Sequence, residues 1–165
     1  MLGTEITRIS EVKDLGVILD TQLSFESHIS YIVSKASRVL GVIFRVAKKF
    51  DDIYCLESLY CSLSRSVLNY CSAAWTPHYN NGVGRVESVQ RLFVRYALRR
   101  LPWTNPFRFP CYVSRCQLIH LDPLLVRRNT ARTLLVTDIL QGRIDCPVLL
   151  ENIDMMYSPE NSEII

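Results

Sequence analysis

The sequence predicts a mainly α-helical bundle with a small N-terminal β-hairpin. Three observations carry that expectation. Apolar residues recur at steps of three and four over several stretches between Phe25 and Gln141, the signature of helices buried along one stripe. Only the first twenty residues depart from that period, with two short runs rich in Ile, Val and Leu split by a polar turn. Of the 165 residues, 48% are hydrophobic and 21% charged, enough apolar surface for the core of one domain plus a small appendage.

Taken in order, residues 5–9 ("EITRI") and 14–19 ("DLGVIL") read as the two strands. A lone pair of strands is marginal in water and needs a partner surface. From Phe25 the period turns helical. Phe25, Ile29, Ile32, Val33, Ala36, Val39, Leu40, Ile43, Ala47 and Phe50 form one face, with Ser24 placed to cap the start. Lys35, Arg38, Arg45, Lys48 and Lys49 fall opposite them. Two readings of this basic face stay open, an ordinary solvated surface and a phosphate-binding one. A second helix is expected from Ile53 to about Tyr70, burying Ile53, Leu56, Leu59, Tyr60, Leu63 and Val67. Pro77 and the run Asn80-Asn81-Gly82 then signal a turn.

A third helix, from about Val83 to Arg100, buries Val86, Val89, Phe93, Tyr96 and Ala97. Arg91, Arg95 and Arg99 line its side at a spacing of four, where like charges repel. That repulsion calls for an anionic partner, or for acidic residues of a neighbouring element. The Pro- and aromatic-rich stretch "LPWTNPFRFPCY" reads as an ordered loop. A further helix over 122–141 is predicted with Asp122 as cap, Pro123 at its first position and Gly142 as its stop. A short apolar helix near Pro147–Ile153 follows, and the tail "SPENSEII" is expected to be disordered.

Charge is unevenly spread behind the net +3. Residues 1–84 are balanced, with eight basic and eight acidic side chains. Residues 85–132 carry ten Arg against Glu87 and Asp122, net +8, and residues 133–165 carry Arg143 against six acids, net −5. Fifteen of the nineteen basic residues are Arg, the side chain that pairs with phosphate bidentately and stacks on bases. Such a belt is the footprint of a nucleic-acid binder, and equally of a protein that docks on an acidic surface.

No apolar run approaches the roughly 20 residues of a membrane span. The first twenty residues are charged throughout, so neither a signal peptide nor a membrane partner is expected. The expected location is intracellular, cytoplasmic or nuclear. There the six cysteines (Cys55, Cys61, Cys71, Cys111, Cys116, Cys146) are expected as thiols. The spacing Cys111, Cys116, His120 touches on a zinc knuckle but offers no fourth ligand, so no metal is assigned.

The stretch "KKFDD" (residues 48–52) invites comparison with the aspartate pair of a polymerase. Asp51 and Asp52 stand instead where one helical pattern stops and the next starts, and Asp is among the best N-caps. Asp14 and Asp20 flank the second predicted strand, about 20 Å apart along an extended chain, too far to share an ion. No nucleophile–base set or Gly-rich phosphate loop is legible, so no catalytic residue is assigned.

The strings "VKDLGVILDTQLSFESHI", "SKASRVLGVIFR", "LYCSLSRSVLNYCSAAWTP", "RVESVQRLFVRYALRRLP" and "LVRRNTARTLLVTDILQGRIDCPVLLENI" follow one another in that order. Together they resemble the region just after the catalytic palm in reverse transcriptases of non-LTR retrotransposons, most closely the jockey-like elements of arthropods. The resemblance spans roughly residues 5 to 157. It implies that Leu15, Gly16 and Val17 correspond to the primer grip, the hairpin that seats the primer 3′ end. A glycine there lets a nucleic-acid backbone approach closely, or serves strand packing or a bulge.

The resemblance further implies a palm remnant at 1–22, thumb-like helices at 23–105, a C-terminal helical extension at 106–157 and a tail at 158–165. The partners implied are an RNA template and DNA primer duplex and the missing palm and fingers. Lys35, Arg38, Arg45, Lys48, Lys49, Arg91, Arg95 and Arg99 would touch its phosphates, each contact steepening the salt dependence by about 0.9 in log–log slope. The family's metal-holding aspartates belong upstream of the matched region, so the Mg of the intact enzyme has no ligands here and the chain alone polymerises nothing. The alternatives are a non-enzymatic helical interaction module and an inert remnant of a decayed element.

Overall fold

A computed structural model describes residues 9–49, 52–77, 80–101 and 111–151. It is mainly helical with one small antiparallel hairpin. Strands β1 (Glu11–Asp14) and β2 (Val17–Asp20) pair with Lys13 opposite Ile18 and Asp14 opposite Val17. This corrects the predicted strands. Leu15 and Gly16 are not in a strand but form the two-residue turn, both at positive φ (43° and 87°), the combination a tight primed hairpin turn demands. Gly16 is therefore required by its backbone conformation. The hairpin also brings Asp14 to within three residues of Asp20 along β2, about 10 Å rather than 20. The first predicted strand, residues 5–9, lies outside the described residues except for Ile9, which is in no element.

Helix α1 (Glu26–Val46) continues as a 3₁₀ turn, Ala47–Lys49. Phe25, Ile29, Ile32, Ala36, Leu40, Ile43 and Ala47 are buried as the period predicts; Phe50 lies outside the described residues. The expected Ser24 cap is present only as a long bond, its hydroxyl accepting from the Glu26 N–H at 3.4 Å. Phe25 occupies the cap position at φ 58°, and the carboxylate of Asp20 organises the entry. It accepts from the backbone N–H of Gln22, Ser24 and Phe25 at 2.9–3.0 Å and from the Ser24 hydroxyl at 2.8 Å. These bonds, the Ser24 N–H first, hold the Asp20 carboxyl below the usual range.

The second predicted helix is three pieces: α2 (Ile53–Leu59), a π-helical turn (Tyr60–Arg65) and α3 (Ser66–Asn69). Asp52 caps α2, accepting from the Tyr54 N–H at 2.9 Å; Asp51 lies outside the described residues. The inward residues are Leu56, Tyr60, Ser64 and Leu68, spaced by four. At about 100° per residue that spacing drifts around an α-helix, and the wider i→i+5 turn absorbs the drift. Leu63, expected inside, is accordingly rotated out and 49% exposed.

Helix α4 (Asn80–Leu98) begins inside the Asn80-Asn81-Gly82 run that reads as a turn. Packing overrides the local signal here. A Cβ on Gly82 would stand 2.8 Å from Pro77 Cβ and 3.2 Å from Ile29 Cδ1, so glycine sets how closely α4 approaches α1. The two helices run parallel. Arg85 meets Glu26 and Ser30 near one end, and Tyr96 stacks on Phe44 (4.0 Å) near the other, where Arg100 donates to the Ala47 carbonyl. Gly82→Ala gains about 1 kcal/mol of helix propensity and loses about 1–3 to overpacking. It should destabilise by on the order of 1 kcal/mol, whereas Gly84→Ala, with nothing within 4 Å of its Cβ, should stabilise in urea melts. Equal signs would disprove the packing argument.

A helix without a predicted counterpart, α5 (Tyr112–Leu118), and helix α6 (Leu124–Leu140) cover the other side of α4. Their Cys116, Ile119, Leu121 and Leu124 join the same core as Ile29, Tyr60, Trp75 and Phe93. Asp122 does not cap α6. Instead Glu87 of α4, buried among apolar residues, accepts from the N–H groups of Leu124 (3.1 Å) and Leu125 (3.3 Å) and from the Tyr112 hydroxyl. The cap comes from another helix because the start of α6 packs onto α4, away from water. Gly142 (φ 69°) ends α6 as expected, and α7 (Pro147–Glu151) follows. Of the predicted loop over 101–112, Tyr112 instead begins α5; residues 102–110, and the predicted tail, lie outside the described residues.

Candidate nucleic-acid interface

The basic stripe of α1 is exposed from Lys35 through Arg38 and Arg45 to Lys48 and Lys49. At 1.5 Å per residue it extends for about 20 Å. On α4, Arg91 and Arg95 are exposed, and Arg99, one residue past its end, extends the exposed row to about 12 Å. Among the described residues none of these side chains forms an ion pair. Arg91 lies 5.0 Å over the Tyr112 ring. Arg45 Nε reaches the Gly41 carbonyl at 3.5 Å.

Helix geometry puts both stripes on one side. The α4-facing residues of α1 are Glu26, Ile29, Phe44 and Ala47, and Ala36 faces the π-helical turn through the Ser64 hydroxyl at 3.2 Å. On α4, Tyr96 and Gly82 face α1, while Phe93 and Gln90 face Tyr60 of that turn at 3.9 and 3.0 Å. At about 100° per residue, Arg38 and Arg45 on α1 and Arg91, Arg95 and Arg99 on α4 then point away from the π-helical turn. Parallel helices in contact lie about 8–10 Å apart, so the two stripes form one broad basic surface. Sequence pattern finds each stripe; that they adjoin follows only from the parallel packing of α1 and α4.

The hairpin stands at the N-terminal end of α1. Leu15 is 83% exposed, Gly16 is exposed and Val17 is buried. The turn is clamped by Tyr70, whose hydroxyl donates to the Leu15 carbonyl at 3.0 Å and whose ring lies 3.4 Å from where a Gly16 Cβ would stand. Behind it, Ile18 N–H donates to Nδ1 of the buried His28 at 3.3 Å. Burial first, then the nearby Lys13 charge, push the His28 pKa down, so the imidazole is neutral at neutral pH with its proton on Nε2.

His28 and Trp75 form a T-shaped pair, ring centroids 4.9 Å apart. The Trp75 indole N–H donates to the Tyr70 carbonyl at 2.8 Å, and the buried Arg128 of α6 lies 4.7 Å over its ring. Arg128 donates to the Leu68 carbonyl at 3.0 Å. Burial brings its pKa down to about 10, which still leaves it charged at neutral pH. Trp75, Tyr70 and Arg128 thus tie α3, the hairpin and α6 together. None of the three was marked as a site by periodicity, because each works through contacts distant in sequence.

No group of three or more His, Cys, Asp or Glu side chains that could hold a metal occurs among the described residues. Cys116 is buried beside Gln90, Cys111 is exposed at the start of α5, and His120 is exposed after its end. Nor is any helix among the described residues long and apolar enough to cross a membrane. No protein-family model matches the chain, and no similar protein was found among curated proteins or solved structures.

Proposed function

We propose that this chain is the thumb and post-thumb part of a jockey-like non-LTR retrotransposon reverse transcriptase, the part that grips the RNA template–DNA primer duplex. The observation that carries the proposal is the joint basic surface of α1 and α4, whose Lys and Arg side chains lack carboxylate partners among the described residues. A surface of uncompensated cations attracts phosphate without reading sequence. The ordered motifs support the family, and the Leu15–Gly16 turn, clamped by Tyr70, is the segment the resemblance assigns to the primer. The chain assigns no residue to catalysis; metal ions and polymerisation belong to the palm of the parent enzyme.

Titrating a labelled RNA–DNA primer–template duplex at two salt concentrations tests the reading. Binding should weaken with salt at a slope of about 0.9 per phosphate contact. Replacing Arg91, Arg95 and Arg99 by Gln should lower that slope by up to about 3, with little change between duplex sequences. Salt-independent binding, or none at low salt, overturns the proposal. The non-enzymatic reading, in which the arginines dock on acidic protein, predicts that charge reversal of this triplet spares duplex affinity. An inert remnant binds neither.

A further inference from the structure

Between the hairpin turn, the first half of α1 and α3 lies an open cleft of about 370 Å³. That volume is within the roughly 300–1,000 Å³ of small-ligand sites and far too small for a duplex. Ile32 and Val67 contribute apolar surface, and the neutral His28 lines it too. Lys13 from β1 and Lys35 from α1 border the same cleft. Neither forms an ion pair among the described residues. Two ammonium groups sharing one concavity repel unless an anion sits between them.

The cleft also offers an aromatic surface. Lys13 Nζ stands 4.7 Å over the ring of Tyr31, so one face of that ring is already covered. Tyr70 differs: its hydroxyl is fixed to the Leu15 carbonyl and its edge to Gly16, yet the residue stays 57% exposed. A ring held in place by its hydroxyl is a stacking platform that loses little freedom when a flat ligand lands on it.

We propose that this cleft binds a small aromatic phosphate of mononucleotide size, its ring on Tyr70 and its phosphate between Lys13 and Lys35. The cleft shares Lys35 with the joint basic surface of α1 and α4 and Gly16 with the proposed grip turn, but its argument does not depend on the proposed family. The same chemistry is presented by a free nucleoside monophosphate and by the phosphorylated end of a single strand.

The test is NMR titration of the full 165-residue chain with adenosine monophosphate, adenosine, inorganic phosphate and a 5′-phosphorylated tetranucleotide. Adenosine monophosphate should shift resonances of Lys13, Gly16, His28 and Tyr70 and bind at least roughly tenfold more tightly than adenosine or phosphate alone. Lys13→Gln with Lys35→Gln should reduce its affinity to that of adenosine. Tyr70→Ala should weaken it by roughly tenfold, while Tyr70→Phe, which keeps the ring, should stay within about threefold of the parent. A tetranucleotide that matches or exceeds the monophosphate identifies a strand end as the ligand, and a weaker one identifies the free nucleotide. The proposal is overturned by equal binding of adenosine and its monophosphate, by shifts confined to the α4 arginines, or by no shift at millimolar ligand.

Discussion

Glu87→Ala should lower the stability of the chain by about 3–5 kcal/mol, the loss typical of removing one partner of a buried charged network. Glu87 is buried, and its carboxylate holds the Tyr112 hydroxyl and the first two N–H groups of α6. Hydrogen bonds to a charged acceptor contribute about 1.5–3 kcal/mol each but are not additive. Burial and this bond push the Tyr112 hydroxyl pKa up, so Tyr112 remains a donor across the ordinary pH range. With alanine at 87, three donors lose their acceptor, the Leu124 N–H in the buried core and the other two at its part-buried edge, and α6 loses this attachment to α4. For a chain of this length the fall in Tm should be about 10 °C. Glu87→Gln keeps one acceptor oxygen but turns an NH₂ donor toward a donor, and should cost about half as much. Hydrogen exchange gives the specific readout, with amides of α6 losing protection before those of α1. A Tm within 2–3 °C of the parent, about 1 kcal/mol, would falsify the role assigned to Glu87.

Trp75→Ala should be comparably severe, about 3–5 kcal/mol for a large aromatic removed from a closed core. The indole is fully buried, donates to the Tyr70 carbonyl, and has the His28 ring at 73° to it and Arg128 over its ring. Its loss opens a cavity and takes the ring away from a buried guanidinium, a contact that contributes about 2 kcal/mol when desolvated. Trp75→Phe restores most of the volume without the N–H and should lose about 1–2 kcal/mol. Because Trp75 holds the backbone of Tyr70, the alanine variant should also free the hairpin turn, seen as faster exchange at Gly16 and Val17. A double-mutant cycle with Arg128→Met isolates the ring–guanidinium coupling. Zero coupling would show that the stacked geometry adds nothing beyond packing.

Much of the fold is legible in the residue pattern, and the reasons are local. The core face of α1 follows from the 3.6 period, the start of α2 from the carboxylate of Asp52, and the end of α6 from Gly142, which alone tolerates its backbone angle without strain. The misplacements are equally specific. Asp122 is a good cap by type, but Glu87 reaches the start of α6 first, from α4. At α1, Ser24 holds only the Glu26 N–H at 3.4 Å while Asp20 of β2 takes the neighbouring donors. Asn80-Asn81-Gly82 reads as a turn until Pro77 and Ile29 are seen packed against Gly82. Leu63 reads as core until the π-helical turn shifts the phase.

For the candidate sites the division is sharper. Sequence alone determined the helical class, the arginine-rich middle of the chain and the two basic stripes, since charge and period are properties of neighbours along the chain. Only the tertiary structure decided that α1 and α4 run parallel so that their stripes merge. It also brought Lys13, Lys35 and Tyr70, separated by up to 57 positions along the chain, to one cleft. Those relations depend on Gly82, Glu87 and Trp75, each of which acts through a partner many residues away, where no periodic pattern can register it.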